Sequence, residues 1–233
     1  MLRGSAGDEE RDSLRLTLVE AAVESLESAL AAERGGADRI ELCANLNDGG
    51  TTPRAALIAE VAERVRIPVF VLIRPRGGAF VYSDDEMEMM SRDIDVAREL
   101  DIDGIVTGAL RADGTVDVEQ TRVLVKAAGG LPVTFHRAFD TAPNIRSALE
   151  QLIAAGVSRV LTSGGAATAI DGADVIAMLV DQAGERITIM AGGSIREHNV
   201  RDVIQRTRVR EVHARLVDET GMRRLVELAK STD

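Results

Sequence analysis

Aromatic side chains are scarce in this sequence. Its 233 residues include four Phe, one Tyr and no Trp, about 2% of the chain. With 45% hydrophobic residues the chain can fill a sizeable core, but that core must be aliphatic. No aromatic platform for stacking nucleobases is visible. Positive charge is short too: 28 Lys and Arg against 38 Asp and Glu leave a formal net charge of −10. That balance argues against nucleic acid as a partner, because a phosphate backbone is held by clustered cations. A single cysteine, Cys43, precludes an internal disulfide, fits a reducing cytoplasm and excludes zinc sites built on cysteine pairs. No run approaches the ~18 apolar residues that suggest a membrane span. The charged first 14 residues lack the apolar centre of a signal peptide and are expected to form a disordered tail. Residues 15–233 are expected to form one domain.

What is present is a regular alternation. Short apolar runs at Leu16–Val23, Arg39–Cys43, Pro68–Ile73, Gly104–Thr107, Pro132–His136, Arg159–Thr162, Ile187–Ala191 and Arg210–Ala214 each precede a helical pattern. Ser25 and the Ser83–Glu86 capping box mark two helix starts, and Thr52-Pro53 a third. The strands read as continuous apolar runs, as expected when both faces are covered. Eight strand–helix units in this length predict a single-domain (β/α)8 TIM-type barrel. A doubly wound open sheet is the alternative, but no G-x-G-x-x-G follows the first strand. No P-loop or hydrolase elbow occurs either.

Side chains two apart on a strand share a face. Glu41 and Cys43, Thr134 and His136, and Glu211 and His213 therefore pair up, while Arg74 and Thr107 end their strands. If those faces point inward, the barrel mouth gathers Glu20, Glu41, Arg74, His136 and His213. Charges in a barrel interior cost several kcal/mol, of that order, unless paired, so this set is the candidate catalytic group. An Arg74 ion pair with Glu20 or Glu41 would be the purely structural account. His198 sits among charges and reads as solvated. Arg137 follows His136 directly. Ser163-Gly164-Gly165 and Gly192-Gly193 follow consecutive late strands, where this fold often holds phosphate. With Thr107 and Arg137 they form the expected substrate or anion-binding group, although glycines at tight turns need no ligand. For a soft metal only Cys43 offers a thiolate, and helix-spaced Met87, Met89 and Met90 read as core packing.

The segments Glu24–Ala32, Gly35–Pro53, Ile73–Gly78, Tyr82–Asp84, Pro132–Asp140, Val160–Gly165 and Glu211–His213 together resemble the CutC family, named for copper homeostasis. The resemblance runs from about Leu16 to His213. It implies a (β/α)8-type barrel, a cytoplasmic protein, self-association into a homo-oligomer, and copper as a ligand. The chain departs from the family's pattern in four places. Ala22 stands where family members usually carry a cysteine. Ala79 replaces an aspartate, Ser194 a glycine, and Arg215 stands near an expected serine. Without the first cysteine, a two-thiolate copper site within one chain is not available.

Two functions follow as expectations. One is copper handling through Cys43, with His136 and the methionines as weak helpers. The other is a lyase- or isomerase-type enzyme acting on a small anionic or phosphorylated substrate. In that reading His136 is the general acid/base with its pKa near working pH. Glu41 or Glu20 orients it or acts as a second base, Arg74 clamps the anion, and the glycine loops hold its charge. A scaffold without a ligand would leave the mouth charges unexplained.

Overall fold

The computed structural model describes residues 17–215 and 218–231. The tail expected over residues 1–14 lies outside them. Eight parallel strands close into a barrel in sequential order. They are β1 Leu18–Val23, β2 Arg39–Leu42, β3 Val69–Leu72, β4 Gly104–Thr107, β5 Val133–Phe135, β6 Arg159–Thr162, β7 Thr188–Gly192 and β8 Glu211–Ala214. Helices follow each strand: α1 Leu26–Arg34, α2 Ala55–Arg64, α3 Asp84–Glu99, α4 Val118–Ala127, α5 Ile145–Ala155, α6 Ala173–Ala183, α7 Val200–Thr207 and α8 Glu219–Lys230. The (β/α)8 expectation is met. Among the described residues no helix is long and apolar enough to cross a membrane.

Local chemistry sets the helix starts. Ser25 accepts the Ser28 N–H at the head of α1, and Ser83 and Glu86 cap α3 reciprocally. Each such cap stabilises by about 1 kcal/mol. Thr52-Pro53 behaves differently from its reading as a cap and first turn. Helix α2 starts at Ala55, and the Thr52 hydroxyl instead accepts the Arg74 N–H at 2.9 Å. Thr52 thus ties the loop after β2 to the end of β3, because a strand-end N–H there needed an acceptor.

The aliphatic core lies between barrel and helices. Outward-facing Ile40, Leu42, Val71, Ile105, Phe135, Val160 and Val212 are all fully or almost fully buried there. Met87 and Met90 of α3 pack into this layer, which bears out their reading as core residues, while Met89 faces solvent at 47% exposure. Inside the barrel the apolar cluster is small: Cys43, Phe70, Leu72 and Val106. Apart from Leu161 and Met190, much of the remaining interior is polar, unlike the Val, Ile and Leu layers that usually fill this fold. That departure positions the site.

Candidate functional site

The pleat places Arg39, Glu41 and Cys43 on one face of β2, Glu20 and Ala22 on β1, and Glu211 and His213 on β8. Strand register then decides which of them meet. Glu20 lies beside Arg39 on one side and His213 on the other. Its carboxylate takes a short ion pair from Arg39 Nε and lies 2.8 Å from His213 Nδ1. Arg39 Nη2 reaches Glu211 at 2.7 Å, and Arg159 Nε and Nη2 grip the same Glu211 carboxylate from the opposite side. The two guanidinium groups lie 4.8 and 5.4 Å from the centre of the Phe70 ring. Gly104 makes room for that ring, since a Cβ there would lie 2.5 Å from it. The charge-neutral chain Glu20–Arg39–Glu211–Arg159 is therefore the floor of the site. Arg39, Arg159 and Glu211 were not among the expected site residues. Their signal was charge inside the strand runs, in step with Glu41, Leu161 and His213.

Above the floor a cavity of about 170 Å³ opens at the carboxyl ends of the strands, bounded by Glu41, Cys43, Leu72, Arg74, Phe80, His136, Arg137, Leu161 and His213. Four of the five expected mouth residues thus share one pocket. Glu20 lies beneath it and reaches it through His213. Burial tends to raise the Glu20 carboxyl, but the His213 hydrogen bond and Arg39 outweigh it and hold the pKa at about 2. Because Glu20 is ionised, His213 donates from Nδ1, and its Nε2 faces Glu41 Oε2 at 3.5 Å. Burial opposes protonation of His213, yet the bond to Glu20 and the charges of both glutamates raise its pKa. Burial, with the charge of Glu20 adding to it, pushes Glu41 up to about 7.

Two expectations are corrected here. Arg74 does not pair with Glu20 or Glu41, and both terminal nitrogens of its fork are engaged by loop carbonyls, which leaves its buried Nε without a partner among the described residues. Its guanidinium donates to the carbonyls of Gly49, Gly50 and Gly78 at 2.8–3.0 Å, holding two mouth loops together, and stacks on Phe80 at 4.6 Å. His136 is not poised near working pH. Burial, then the Arg74 charge, lower its pKa to about 3. Its Nδ1 accepts the Ala138 N–H at 3.2 Å, so the ring is neutral with its proton on Nε2. The group poised near neutrality is Glu41.

The anion-binding expectations are corrected as well. Asp140 already occupies the loop after β6: its carboxylate accepts the N–H groups of Ser163 and Gly165 at 3.0–3.1 Å. The Gly164 N–H goes to the Thr162 hydroxyl, and Arg137 binds Asp140 and the Ser163 hydroxyl. Gly164 is needed for a close approach, with φ +72° and a would-be Cβ 2.6 Å from the Gly172 carbonyl. Gly192 and Gly193 do not border the cavity; a Cβ on Gly192 would meet Leu161 at 2.4 Å. Thr107 faces the outer layer, opposite to the reading made for it, and its hydroxyl donates to the Ile73 carbonyl at 3.1 Å. Of that group only Arg137 borders the cavity.

The residues present do not fit a copper(I) cage. The Cys43 thiol is buried, and burial together with the charges of Glu41 and Glu20 pushes its pKa well above the ordinary value. Soft copper is held by thiolate and thioether, and of the α3 methionines Met87 and Met90 lie in the outer layer while Met89 faces solvent. Among the described residues, the one group of three metal-type ligands near one another is Glu20, Glu41 and His213, without Cys43. Arg39 sits against that group and already neutralises Glu20.

The sequence model of the CutC family matches residues 17–217. The chain is 48% identical over 208 residues to a human protein named copper homeostasis protein cutC homolog, covering 88% of this chain and 76% of that one. It is 51% identical over 196 residues to a CutC family protein of Xanthomonas axonopodis pv. citri, covering 84% and 82%. Its fold is similar to a crystal structure from Streptococcus agalactiae described as a copper homeostasis protein CutC, with a TM-score of 0.81, 38% identity and 85% and 98% coverage. A match spanning all eight strands, from the first past His213, leaves one conclusion: the chain belongs to the CutC family.

Proposed function

We propose that this protein serves copper homeostasis, the role for which its relatives are named, and that it does so by binding and proton exchange with a small organic ligand in the mouth cavity. The observation that carries this reading is one mouth pocket lined by both Glu41, with a pKa of about 7, and the neutral His136. A carboxyl near neutrality both takes and returns a proton at working pH. The spent amides of Ser163 and Gly165 favour a small carbonyl or carboxylate compound over a phosphate ester. A cytoplasmic homo-oligomer, as the family resemblance implies, is compatible with that role.

In cells lacking this protein and sensitive to copper, the wild-type chain should restore tolerance and Glu41→Gln should not. Full rescue by Glu41→Gln overturns the cavity as the working site. Direct copper binding is separately tested by titrating reduced protein with copper(I). The lone protonated thiol predicts no stoichiometric binding tighter than about 1 μM, roughly 8 kcal/mol, and no change in Cys43→Ala. Tight binding that disappears in Cys43→Ala would reinstate a copper site there.

A further inference from the structure

We propose that His136 and Glu41 form an enolising pair: the His136 Nε2–H binds the carbonyl oxygen of a small 2-hydroxy- or 2-oxo-carbonyl compound, and the Glu41 carboxylate removes a proton from the carbon beside it. This rests on the acid–base reading of the cavity and adds the substrate class and a role for each residue.

The tautomer comes from geometry. A ring nitrogen that accepts the Ala138 N–H cannot carry a proton, so the single proton of the neutral imidazole sits on Nε2. His136 is 7% exposed, Nε2 has no partner among the described residues, and the ring borders the cavity. A buried donor without an acceptor is costly, so this one is satisfied by an acceptor oxygen brought by the ligand. The ring cannot swing away. Phe80 and Phe135 flank it at 4.9 and 5.9 Å, and Gly108 lets it approach β4 so closely that a Cβ there would lie 2.6 Å from its Cε1.

A preorganised neutral donor aimed at a carbonyl oxygen stabilises the negative charge that develops when a neighbouring C–H ionises. The Arg74 guanidinium, stacked on Phe80 and bordering the same cavity, adds positive potential there. Glu41 supplies the proton acceptor, held by His213, whose orientation Glu20 fixes. The cavity of about 170 Å³ is only slightly larger than the ~150 Å³ that admits benzene, so the ligand has about half a dozen non-hydrogen atoms.

The step balances without a co-reactant. The C–H electron pair becomes the C=C bond of the enolate, the carbonyl π pair moves to the oxygen at His136, and the proton rests on Glu41. Returning it to the same carbon gives hydrogen exchange. For a 2-hydroxycarbonyl compound, the proton of the neighbouring hydroxyl passes to the former carbonyl oxygen within the enediolate; the hydroxyl oxygen becomes the new carbonyl as the proton on Glu41 returns to the former carbonyl carbon, which gives an isomer.

The full chain is incubated in D2O with dihydroxyacetone, glycolaldehyde and pyruvate, and C–H signals are followed by proton NMR. Protein-dependent exchange of at least one probe is expected. It should fall by about 10²-fold or more in Glu41→Gln and in His136→Phe, with partial recovery in His136→Gln, which retains an N–H donor. Nitrogen-15 spectra of the His136 ring in the wild-type protein should show the Nε2–H tautomer from pH 6 to 8. No exchange above buffer with all three probes, exchange unaffected by His136→Phe, or an imidazolium or Nδ1–H ring overturns the proposal. Failure here with copper tolerance still dependent on Glu41 removes the enolisation alone. Exchange with full rescue by Glu41→Gln removes the copper-linked role alone.

Discussion

Replacing Arg39 with Met should destabilise the barrel by about 3–5 kcal/mol, the usual cost of removing one partner from a buried ion pair. Arg39 is 4% exposed and lies between Glu20, which is fully buried, and Glu211. Met preserves most of the volume, so the loss is electrostatic. It leaves the Glu20 carboxylate with His213 alone, and Glu211 with Arg159 alone. For a chain of this size each kcal/mol lowers the melting temperature by roughly 2–4 °C, so a fall of about 10 °C is expected. Arg64→Ala is the control. Its partner Glu60 is one helical turn away and both side chains are half exposed, so the change should stay within about 0.5 kcal/mol. Urea unfolding of both variants decides it. A loss below about 1 kcal/mol for Arg39→Met would mean that the interior charges are solvated and that the floor does not hold Glu20 and His213 in place.

Glu41→Gln should make the protein more stable above pH 7 while removing its function. The folded carboxyl titrates at about 7 and the unfolded one at 4.5. Between those values the folded state binds a proton that the unfolded state has released. Stability therefore falls as pH rises through that window, and above pH 7 the folded state carries the full cost of a buried carboxylate. The interval of 2.5 between 7 and 4.5, at about 1.4 kcal/mol per pH unit, amounts to about 3 kcal/mol. Glutamine carries no such cost. His213 loses the charge that Glu41 lends it, which trims the gain to about 2 kcal/mol at pH 8 and to near zero at pH 4.

The acid limb should be common to both proteins. His136 titrates at about 3 when folded and 6.5 when unfolded, and Glu20 at about 2 and 4.5. Both depressed values mean stability that is lost as pH falls: for His136 from 6.5 down to 3, for Glu20 from 4.5 down to 2. Melting temperatures of wild type and Glu41→Gln, measured from pH 4 to 9, should coincide at the low end and separate by about 5 °C at the high end. Parallel curves would sink the raised Glu41 pKa, and with it the proton acceptor. A variant that gains stability also makes its loss of function informative, since unfolding cannot explain it. Such a trade is expected where a strained charge serves chemistry.

Much of this was written locally. Eight apolar runs separated by helical patterns, the caps at Ser25 and Ser83, and the two-residue alternation determine the barrel and which side chains share a face. Once those faces are inward, the placement of Glu41, His136 and His213 near one mouth follows from that alternation and from their positions at strand ends. What the sequence could not say is who pairs with whom. Register places Glu20 level with both Arg39 and His213, so Arg39, and not Arg74, became its counterion. Asp140 reaches the loop after β6 across a gap of 23 residues in sequence and takes the amides reserved for a ligand. His136 loses its acidic form because its whole ring is buried beside a guanidinium and one nitrogen is spent on a backbone N–H. Composition and spacing along one strand carry no information about the stagger between strands. That stagger, set by closing the whole cylinder, determines every cross-barrel contact and hence which carboxyl titrates where the chemistry needs it.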